Sequence, residues 1–323
     1  MRILLVNPAP LDSPTGNTVT ARRWAAILTE LGHSVEVTAR YDGRPADVLL
    51  ALHARRSAES VHRFRKTHPG RPLLLALTGT DLYGDIRHCA EAQHSLEEAT
   101  HLLLLHSKGA QALPPHLRGK SQVIRQSAAP PSGPQAKPGD VFQVCLLAHL
   151  RDVKDPLRAA EAARLLPAAS RVRILHAGRA LEEKLGSAAR AESETNPRYR
   201  WLGELPPGKA RAILAASHLM VLTSRLEGGA NVVSEALAAS VPIAATRIPG
   251  TEGVLGDDYP GYFGVGDTRR LAELLERAAS DRVFYGVLTE ACRRRAVLVD
   301  RGQEKRAWMK LLDALVSSGQ ERP

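Results

Sequence analysis

The chain has 323 residues, of which 44% are hydrophobic and 24% charged, and it carries a formal net charge of +10. This length predicts about two domains, each able to bury its own core. No apolar run reaches the roughly 18 residues of a membrane span, so we expect no membrane partner.

The start of the chain, MRILLVNPAP, has an apolar run too short for a signal-peptide core and is typical of a first β-strand, which favours the cytosol. Cys89, Cys145 and Cys292 lie far apart without metal-ligand spacing, so we expect buried thiols rather than disulfides or a zinc site. Basic residues are interleaved with acidic ones, and only 4% of residues are aromatic, which disfavours nucleic acid as a partner.

Short apolar strands alternate with helical patterns in both halves of the sequence, which is typical of parallel α/β units. We therefore predict an α/β fold of two Rossmann-like domains facing a central cleft. The predicted strands are 2–6, 34–39, 47–52, 72–77, 101–105 and 121–125 in the first half, and 141–148, 171–177, 199–202, 218–223 and 242–246 in the second.

A proline- and glycine-rich segment, SAAPPSGPQAKPGD at 127–140, separates the two halves and predicts a linker. We accordingly predict an N-terminal Rossmann-like domain at 1–128, a linker at 129–140 and a C-terminal Rossmann-like domain at 141–300. Residues 301–323 are expected to form a helix that crosses back to the N-terminal domain.

Ligands of open parallel sheets bind beyond the carboxyl ends of the strands, so the loops there are candidate sites. Strand 2–6 leads into the long Pro/Gly loop NPAPLDSPTGNTVTARRW, which we expect to enter a helix near Thr18. Gly16 and Asn17 in this loop are placed for close approach of a ligand to the backbone.

After strand 47–52, the sequence HARRSA offers His53, Arg55 and Arg56, with Ser57 as a candidate cap of the next helix. An exposed arginine pair is the ordinary alternative. Two guanidiniums beside a helix start nevertheless favour a phosphate-like group, because they bind it with charge-assisted bidentate hydrogen bonds. We predict a small anionic acceptor at this loop.

Strand 72–77 is followed by TGTDLY, a glycine-containing turn at the same edge of the sheet. Its polar residues Thr78, Thr80 and Asp81 are candidates for orienting a sugar or an acceptor. Asp81 is equally a candidate helix cap.

The loop after strand 218–223 reads TSRLEGGANVVSEALAAS. Its glycines lack the side chains that would keep a phosphate from the backbone, and a helix from about Asn231 would present unpaired N–H groups. Glu227 and Glu235 would flank a diphosphate, with Glu235 placed to accept hydrogen bonds from sugar hydroxyls. The alternative is a surface turn whose glutamates pair with arginines. The predicted donor-binding residues here are Gly228, Gly229, Ala230, Asn231, Val232 and Glu235.

Residues 224–246, SRLEGGANVVSEALAASVPIAAT, resemble the two-glutamate signature of GT-B glycosyltransferases of the family 4 type, which use nucleotide-sugar donors. The resemblance implies that Glu235 holds the ribose hydroxyls and that Glu227 lies by the transferred sugar. It also implies a basic pair against the diphosphate, and LAHLRDVKDP supplies Arg151 and Lys154 at that place. It further implies that 1–128 is the acceptor domain and 141–300 the donor domain, with Gly16 and Asn17 also binding the donor.

A narrower resemblance extends over nearly the whole chain. The segments PTGNTVTARRW, ALHARRSAES, LTGTDLY, VIRQSA and IPGTEGVLGDDYPGYFGVGD are similar to the selenosugar synthases of selenoneine biosynthesis. That family joins selenophosphate to the sugar of UDP-N-acetylglucosamine or UDP-glucose, forming a carbon–selenium bond. The resemblance implies UDP-sugar and selenophosphate as substrates, and contact with other enzymes of that pathway.

The reaction that the resemblance implies is substitution at the anomeric carbon, with UDP stabilised by Arg151, Lys154 and a helix N-terminus. No metal or other cofactor is then expected. Two alternatives stay open: a conventional transferase acting on a hydroxyl acceptor, and a non-catalytic protein that binds nucleotide sugar or nucleic acid. A kinase or hydrolase lacks its motif in this sequence.

Overall fold

A computed structural model describes residues 1–9, 15–133 and 135–320, including side chains up to 317. The chain divides into two compact units. The first unit contains Met1–Gln126, Glu227–Ala230 and Arg301–Pro323, and the second contains Ser127–Leu226 and Asn231–Asp300. Residues 10–14 of the predicted first loop and residue 134 of the predicted linker lie outside the described residues.

The first unit is built on a six-stranded sheet in the order β2-β1-β3-β4-β5-β6, and every neighbouring pair is parallel. Such an order requires crossover connections, which helices supply. The strands are β1 Arg2–Val6, β2 Ser34–Thr38, β3 Val48–Leu52, β4 Leu73–Leu77, β5 His101–Leu104 and β6 Ser121–Val123.

The second unit repeats this plan with six parallel strands in the order β12-β11-β10-β7-β8-β9. Its strands are β7 Phe142–Leu147, β8 Val172–Ala177, β9 Tyr199–Trp201, β10 Leu219–Leu222, β11 Ile243–Thr246 and β12 Tyr262–Phe263. The eleven predicted strands are therefore found, each within two residues of its predicted ends. Strand β12 is not predicted, because two residues are too few to show a period.

Helices connect the strands in both units. They are α1 Gly16–Glu30, α2 Ala58–Thr67, α3 Ile86–His88, α4 Ala90–Glu98, α5 Arg158–Arg164, α6 Glu183–Thr195, α7 Pro207–Ala215, α8 Asn231–Ala238, α9 Pro249–Leu255, α10 Thr268–Ser280, α11 Arg282–Ala296 and α12 Arg301–Gln320. The described part of 127–140 contains neither helix nor strand. Among the described residues, no helix is both long enough and apolar enough to cross a bilayer.

The core of the first unit lies on both faces of its sheet. Successive residues of β3 and β4 alternate between a cluster that includes Phe64 and Leu96 and another that includes Trp24 and Trp308. Because both faces are covered, these strands are continuous apolar runs rather than alternating ones.

Helix α12 packs within the first unit, although it comes last in the chain. The rings of Trp24 and Trp308 meet edge to face, with centroids 5.1 Å apart. Glu304, which is buried, accepts hydrogen bonds from Trp24 Nε1 at 2.7 Å and from Arg23 Nε at 3.2 Å. A buried carboxylate with these partners fixes α12 against α1.

Candidate functional site

The loop after β3 begins with a residue in a strained conformation. His53 is buried and has φ of 73°, a left-handed conformation that is uncommon for residues other than glycine and is found preferentially at functional sites. Its N–H donates to Ala76 O at 2.8 Å, which continues the pairing of β3 with β4. The hydroxyl of Ser57 donates to Leu52 O at 2.7 Å and does not cap α2, so that expectation is wrong.

The carboxylate of Asp81 joins the loops that follow β3 and β4. Its Oδ1 accepts the N–H groups of Thr78 at 2.9 Å and Gly79 at 2.8 Å, and its Oδ2 accepts the N–H of Ala54 at 2.9 Å. Asp81 is fully buried. It therefore organises the backbone of both loops, and its role toward a ligand stays a prediction.

His53 is the polar centre of these two loops. Its Nε2 lies 3.1 Å from Thr80 Oγ1 and 3.7 Å from Asp85 Oδ2. Burial lowers the pKa of His53, and the nearby charge of Asp81 opposes that shift in part. Burial thus favours a neutral imidazole, which can exchange hydrogen bonds with Thr80.

The two arginines of this loop are not equivalent. Arg55 Nε lies 3.3 Å from Asp85 Oδ2, and the Arg55 side chain is 52% exposed. Arg56 is also exposed, and within the described residues its guanidinium has no hydrogen-bond or ion-pair partner. Since Asp81 is buried and Asp85 faces Arg55, Arg56 is the cation most available to an anion.

The segment Glu227–Ala230 belongs to the first unit, although the sequence analysis assigns it to the donor domain. A Cβ on Gly228 would lie 2.3 Å from Gly79 Cα and 2.5 Å from Thr78 C. One on Gly229, where φ is 154°, would lie 2.5 Å from Leu105 Cβ. The absent side chains thus make room for neighbouring protein atoms, and the approach of a phosphate to this backbone stays a prediction.

Glu227 and Ala230 flank these two glycines. Glu227 is only 8% exposed, and Ala230 is half-buried. With the side-chain amide of Gln126 in the orientation that satisfies both of its ends, its NH2 group donates to the carbonyl of Gly229 at 2.7 Å. The segment therefore contacts other residues of the first unit through its two glycines.

Helix α1 begins at Gly16, two residues earlier than the predicted entry near Thr18. Thr15 caps it, since its hydroxyl accepts the N–H of Thr18 at 3.4 Å. Gly16 is exposed and Asn17 half-buried at this N-terminus. Their backbone N–H groups belong to the first turn of a helix, where an anion is stabilised.

Two polar residues that the sequence analysis does not single out lie near this edge of the first sheet. Tyr83 Oη and His106 Nε2 are 2.9 Å apart, and their rings are stacked. Burial and nearby basic groups lower the pKa of His106 to about 4, and burial raises the pKa of Tyr83. A polar residue directly after strand 101–105 is the signal that would have indicated His106.

In the second unit, the loop after β7 holds Arg151 and Lys154. Residues Asp152–Lys154 form one turn of 3₁₀-helix, and both basic side chains are half-buried. Lys154 O accepts the Thr223 hydroxyl at 2.8 Å, and Val153 O accepts the Arg225 N–H at 2.9 Å. The structure thus brings the predicted basic loop to the end of β10.

Helix α8 begins at Asn231, as predicted. Asn231, Val232 and Glu235 are half-buried. Glu235 is the fifth residue of the helix, about one turn in from the N-terminal N–H groups that have no intrahelical partner. An anion and a hydroxylated neighbour can therefore be bound side by side at this helix end.

Among the described residues, the single group of three or more side chains suited to a metal is His62, His94 and Glu98. It includes no residue predicted for the reaction.

Comparisons with solved structures show the GT-B fold. Anabaena HepE in complex with UDP and glucose is 15% identical, covers 98% of this chain and 100% of its own, and has a TM-score of 0.75. Sucrose-phosphate synthase from Thermosynechococcus elongatus is 13% identical over 98% of this chain and 99% of its own, with a TM-score of 0.80. An E. coli trehalose-6-phosphate protein bound with UDP-2-fluoro glucose is 11% identical over 98% of this chain and 99% of its own, with a TM-score of 0.74.

The family comparison concerns the second half of the sequence. Residues 132–296 match the family described as glycosyl transferases group 1, and this match covers more than half of the chain. It includes the basic loop after β7 and helix α8. The chain therefore belongs to the glycosyl transferases group 1 family.

Proposed function

We propose that this protein is a UDP-sugar-dependent selenosugar synthase. In the first step, a selenium lone pair of selenophosphate attacks the anomeric carbon as the bond from that carbon to the UDP oxygen breaks, and UDP leaves with the electron pair. The product has a new carbon–selenium bond and still holds the phosphoryl group. Water then attacks phosphorus, the selenium–phosphorus bond breaks, and phosphate and the selenosugar are released.

Support for the donor comes from the second unit. The N-terminus of α8 and the basic side chains of Arg151 and Lys154 offer positive charge where negative charge develops on the departing diphosphate. Glu235 on α8 would accept hydrogen bonds from the ribose hydroxyls. Two of the structurally similar proteins are complexes with UDP or a UDP-sugar analogue, which favours UDP as the nucleotide.

The observation that carries the acceptor assignment is the exposed and unpaired guanidinium of Arg56. It follows the strained His53 at the carboxyl end of β3, in a loop whose acidic residue Asp81 is buried. The charged residues of the two loops are Arg55, Arg56, Asp81 and Asp85, so the formal charge of the loops is zero. Their preference for an anion therefore depends on Arg56 being exposed while Asp81 is buried. The resemblance of HARRSAES and four other segments to selenosugar synthases favours selenophosphate as that anion.

Selenophosphate makes few demands on the enzyme's basic groups. It is a soft nucleophile that is already ionised near neutral pH, so no strong general base is required. The harder task is to hold one anion beside another, and cationic side chains on the acceptor loop reduce that repulsion. No metal is needed if Arg151 and Lys154 stabilise the leaving UDP.

A second candidate is transfer of the sugar to a hydroxyl group. It is favoured by one observation, the position of His53 Nε2 at 3.7 Å from Asp85 Oδ2. A neutral imidazole beside a carboxylate is able to remove a proton from a hydroxyl acceptor, which selenophosphate does not require. This transferase would turn over without selenium.

The two candidates separate in one assay of the purified chain. UDP release is measured with UDP-N-acetylglucosamine or UDP-glucose as the donor. Each donor is tested with selenophosphate, with a panel of hydroxyl acceptors, and without any acceptor. The proposal expects UDP release that depends on selenophosphate and a product with a selenium–carbon bond by ⁷⁷Se NMR. Release with hydroxyl acceptors alone would establish the second candidate, and UDP binding without any release would establish a non-catalytic protein.

A further inference from the structure

Three side chains on the outer surface of the first unit converge on one point. His62 on α2 places Nδ1 2.9 Å from Glu98 Oε1, and His94 on α4 places Nε2 3.3 Å from the same oxygen. One potential ligand atom from each residue lies within 4.8 Å of the others. The two imidazole rings are tilted, with centroids 5.7 Å apart.

The surroundings of Glu98 give a second observation. Its side chain is only 12% exposed, whereas those of His62 and His94 are 61% and 62% exposed. The other carboxylate oxygen, Oε2, is buried and has no hydrogen-bond partner within the part of the chain that the structure describes. A carboxylate that has lost hydration on one oxygen and presents the other to two accessible imidazoles is well suited to a cation, which restores the lost electrostatic stabilisation.

We propose that His62, His94 and Glu98 bind Zn²⁺. Two imidazole nitrogens and one carboxylate oxygen are a ligand set that zinc accepts, with water in the fourth position of a tetrahedron. Mg²⁺ prefers oxygen ligands and is excluded by the two nitrogens. Metal binding requires the proton on each ligating nitrogen to move to the other ring nitrogen, and the high exposure of both rings leaves that nitrogen open to water.

The backbone favours such a site. His94 and Glu98 are four residues apart on α4 and so lie on one face of the helix. Arg65 on α2 donates from Nε and Nη2 to the carbonyl of Glu98, at 3.0 Å and 2.6 Å, which already holds the two helices together at this place. Zinc would add a second connection between α2, which follows the Arg55–Ser57 loop, and α4, which precedes β5.

The consequence is a structural role, distinct from the reaction at the sheet edges. Zinc would stabilise the first unit by binding its folded form, because the three ligands are brought together only in that form. The rate of UDP release should not depend on it.

The test uses the full chain prepared without a polyhistidine tag and stripped with a chelator. Calorimetry should show one Zn²⁺ per chain, and Co²⁺ should give the d–d absorption of a four-coordinate ion, while Mg²⁺ should show no binding. Zn²⁺ should also raise the thermal unfolding temperature. His94→Ala and Glu98→Gln should weaken Zn²⁺ binding by at least about tenfold and abolish the thermal shift.

A matched control is available on the same surface. His116 Nε2 contacts Glu97 Oε1 at 2.8 Å, with a similarly exposed ring but no second imidazole in the cluster. His116→Ala should therefore bind Zn²⁺ as the wild type does. Absence of saturable zinc binding would overturn the proposal, and so would unchanged binding by both His94→Ala and Glu98→Gln.

Discussion

The two sheets hold their polar loops in different ways. In the first unit, the loops after β3 and β4 are joined by buried side chains, since Asp81 binds three backbone N–H groups and His53 lies between Thr80 and Asp85. In the second unit, the loop after β7 is joined to the end of β10 through the carbonyls of Val153 and Lys154.

This difference indicates how each unit responds to mutation. Buried polar networks fix geometry but are costly to disrupt, because each group left without a partner keeps its desolvation penalty. Side chains attached to a loop that main-chain bonds hold can be removed with less damage to the fold. We therefore expect substitutions of the buried residues His53 and Asp81 to affect stability and activity together, and substitution of the half-buried Glu235 in the second unit to affect binding.

The largest effect is expected for Gly228→Ala. The added methyl group would lie 2.3 Å from Gly79 Cα and 2.4 Å from Gly79 N, so the backbone of one loop must move. Such overpacking costs about 3 kcal/mol or more when only backbone can yield. The thermal unfolding temperature and the rate of UDP release should both fall, because Glu227 moves when Gly228 is displaced.

Gly119→Ala is the matched control for that variant, since a Cβ there meets nothing within 4 Å. It should unfold and turn over like the wild type. If Gly228→Ala also behaves like the wild type, the packing of Glu227–Ala230 against the first unit is wrong.

Acid should destabilise both units through one buried histidine in each. Burial lowers the pKa of His106 and of His176 to about 4 in the folded protein. The unfolded chain takes up a proton near pH 6.5, so stability is lost as the pH falls from about 6.5 towards about 4, by up to about 3 kcal/mol for each residue. Urea midpoints at pH 7 and pH ~4.5 measure this loss.

The histidine variants show which unit is responsible. His106→Gln should reduce the pH dependence of the first unit, and His176→Gln that of the second. His88→Gln, at an exposed position, should leave the dependence unchanged. An unchanged pH dependence in both buried variants would show that other groups control acid unfolding.

Glu235→Ala should weaken UDP binding without unfolding the second unit. The paired ribose hydroxyls would lose an ionised acceptor, which costs about 1.5–3 kcal/mol, or about tenfold to a hundredfold in affinity. Calorimetry with UDP measures this loss of affinity. Glu194 is an exposed glutamate on α6, and Glu194→Ala serves as the control. Wild-type affinity in a folded Glu235→Ala protein would contradict the ribose assignment.

The smallest expected effect is that of a chelator on turnover. EDTA should leave the initial rate of UDP release unchanged if Arg151 and Lys154 take the place of a metal at the diphosphate, as the proposed mechanism requires. It should lower the thermal unfolding temperature of the wild type but not that of His94→Ala. Loss of turnover that a divalent ion restores would contradict the metal-independent mechanism.

The sequence predicts features that depend on local pattern. Strands β3 and β4 are visible as apolar runs, and α8 begins at the last residue of EGGAN, the segment that follows the apolar strand β10. The positions of Arg56, Lys154 and Glu235 follow from the rule that ligands bind at the carboxyl ends of parallel strands.

Contacts between distant parts of the chain are not encoded in such patterns. The sequence shows Gly228 and Gly79 as two ordinary loop glycines, and only the folded chain reveals that each leaves room for the other. Asp81 likewise reads as a polar ligand or a cap, because its three backbone partners come from two loops. Ser57 has the right position for a cap but bonds to Leu52 instead.

The central claim is that the acceptor loop of the first unit binds selenophosphate independently of the donor site. The most direct measurement is steady-state kinetics of Arg55→Ala/Arg56→Ala at varied selenophosphate and saturating UDP-sugar, together with UDP titration of the same variant. We predict near-wild-type UDP affinity, lower turnover, and a KM for selenophosphate raised at least about tenfold, since each charge-assisted contact contributes about 1.5–3 kcal/mol. Lysine at both positions should restore only part of the loss, because an ammonium lacks the planar two-point contact. An unchanged KM for selenophosphate, or an equal loss of UDP binding, would contradict the account.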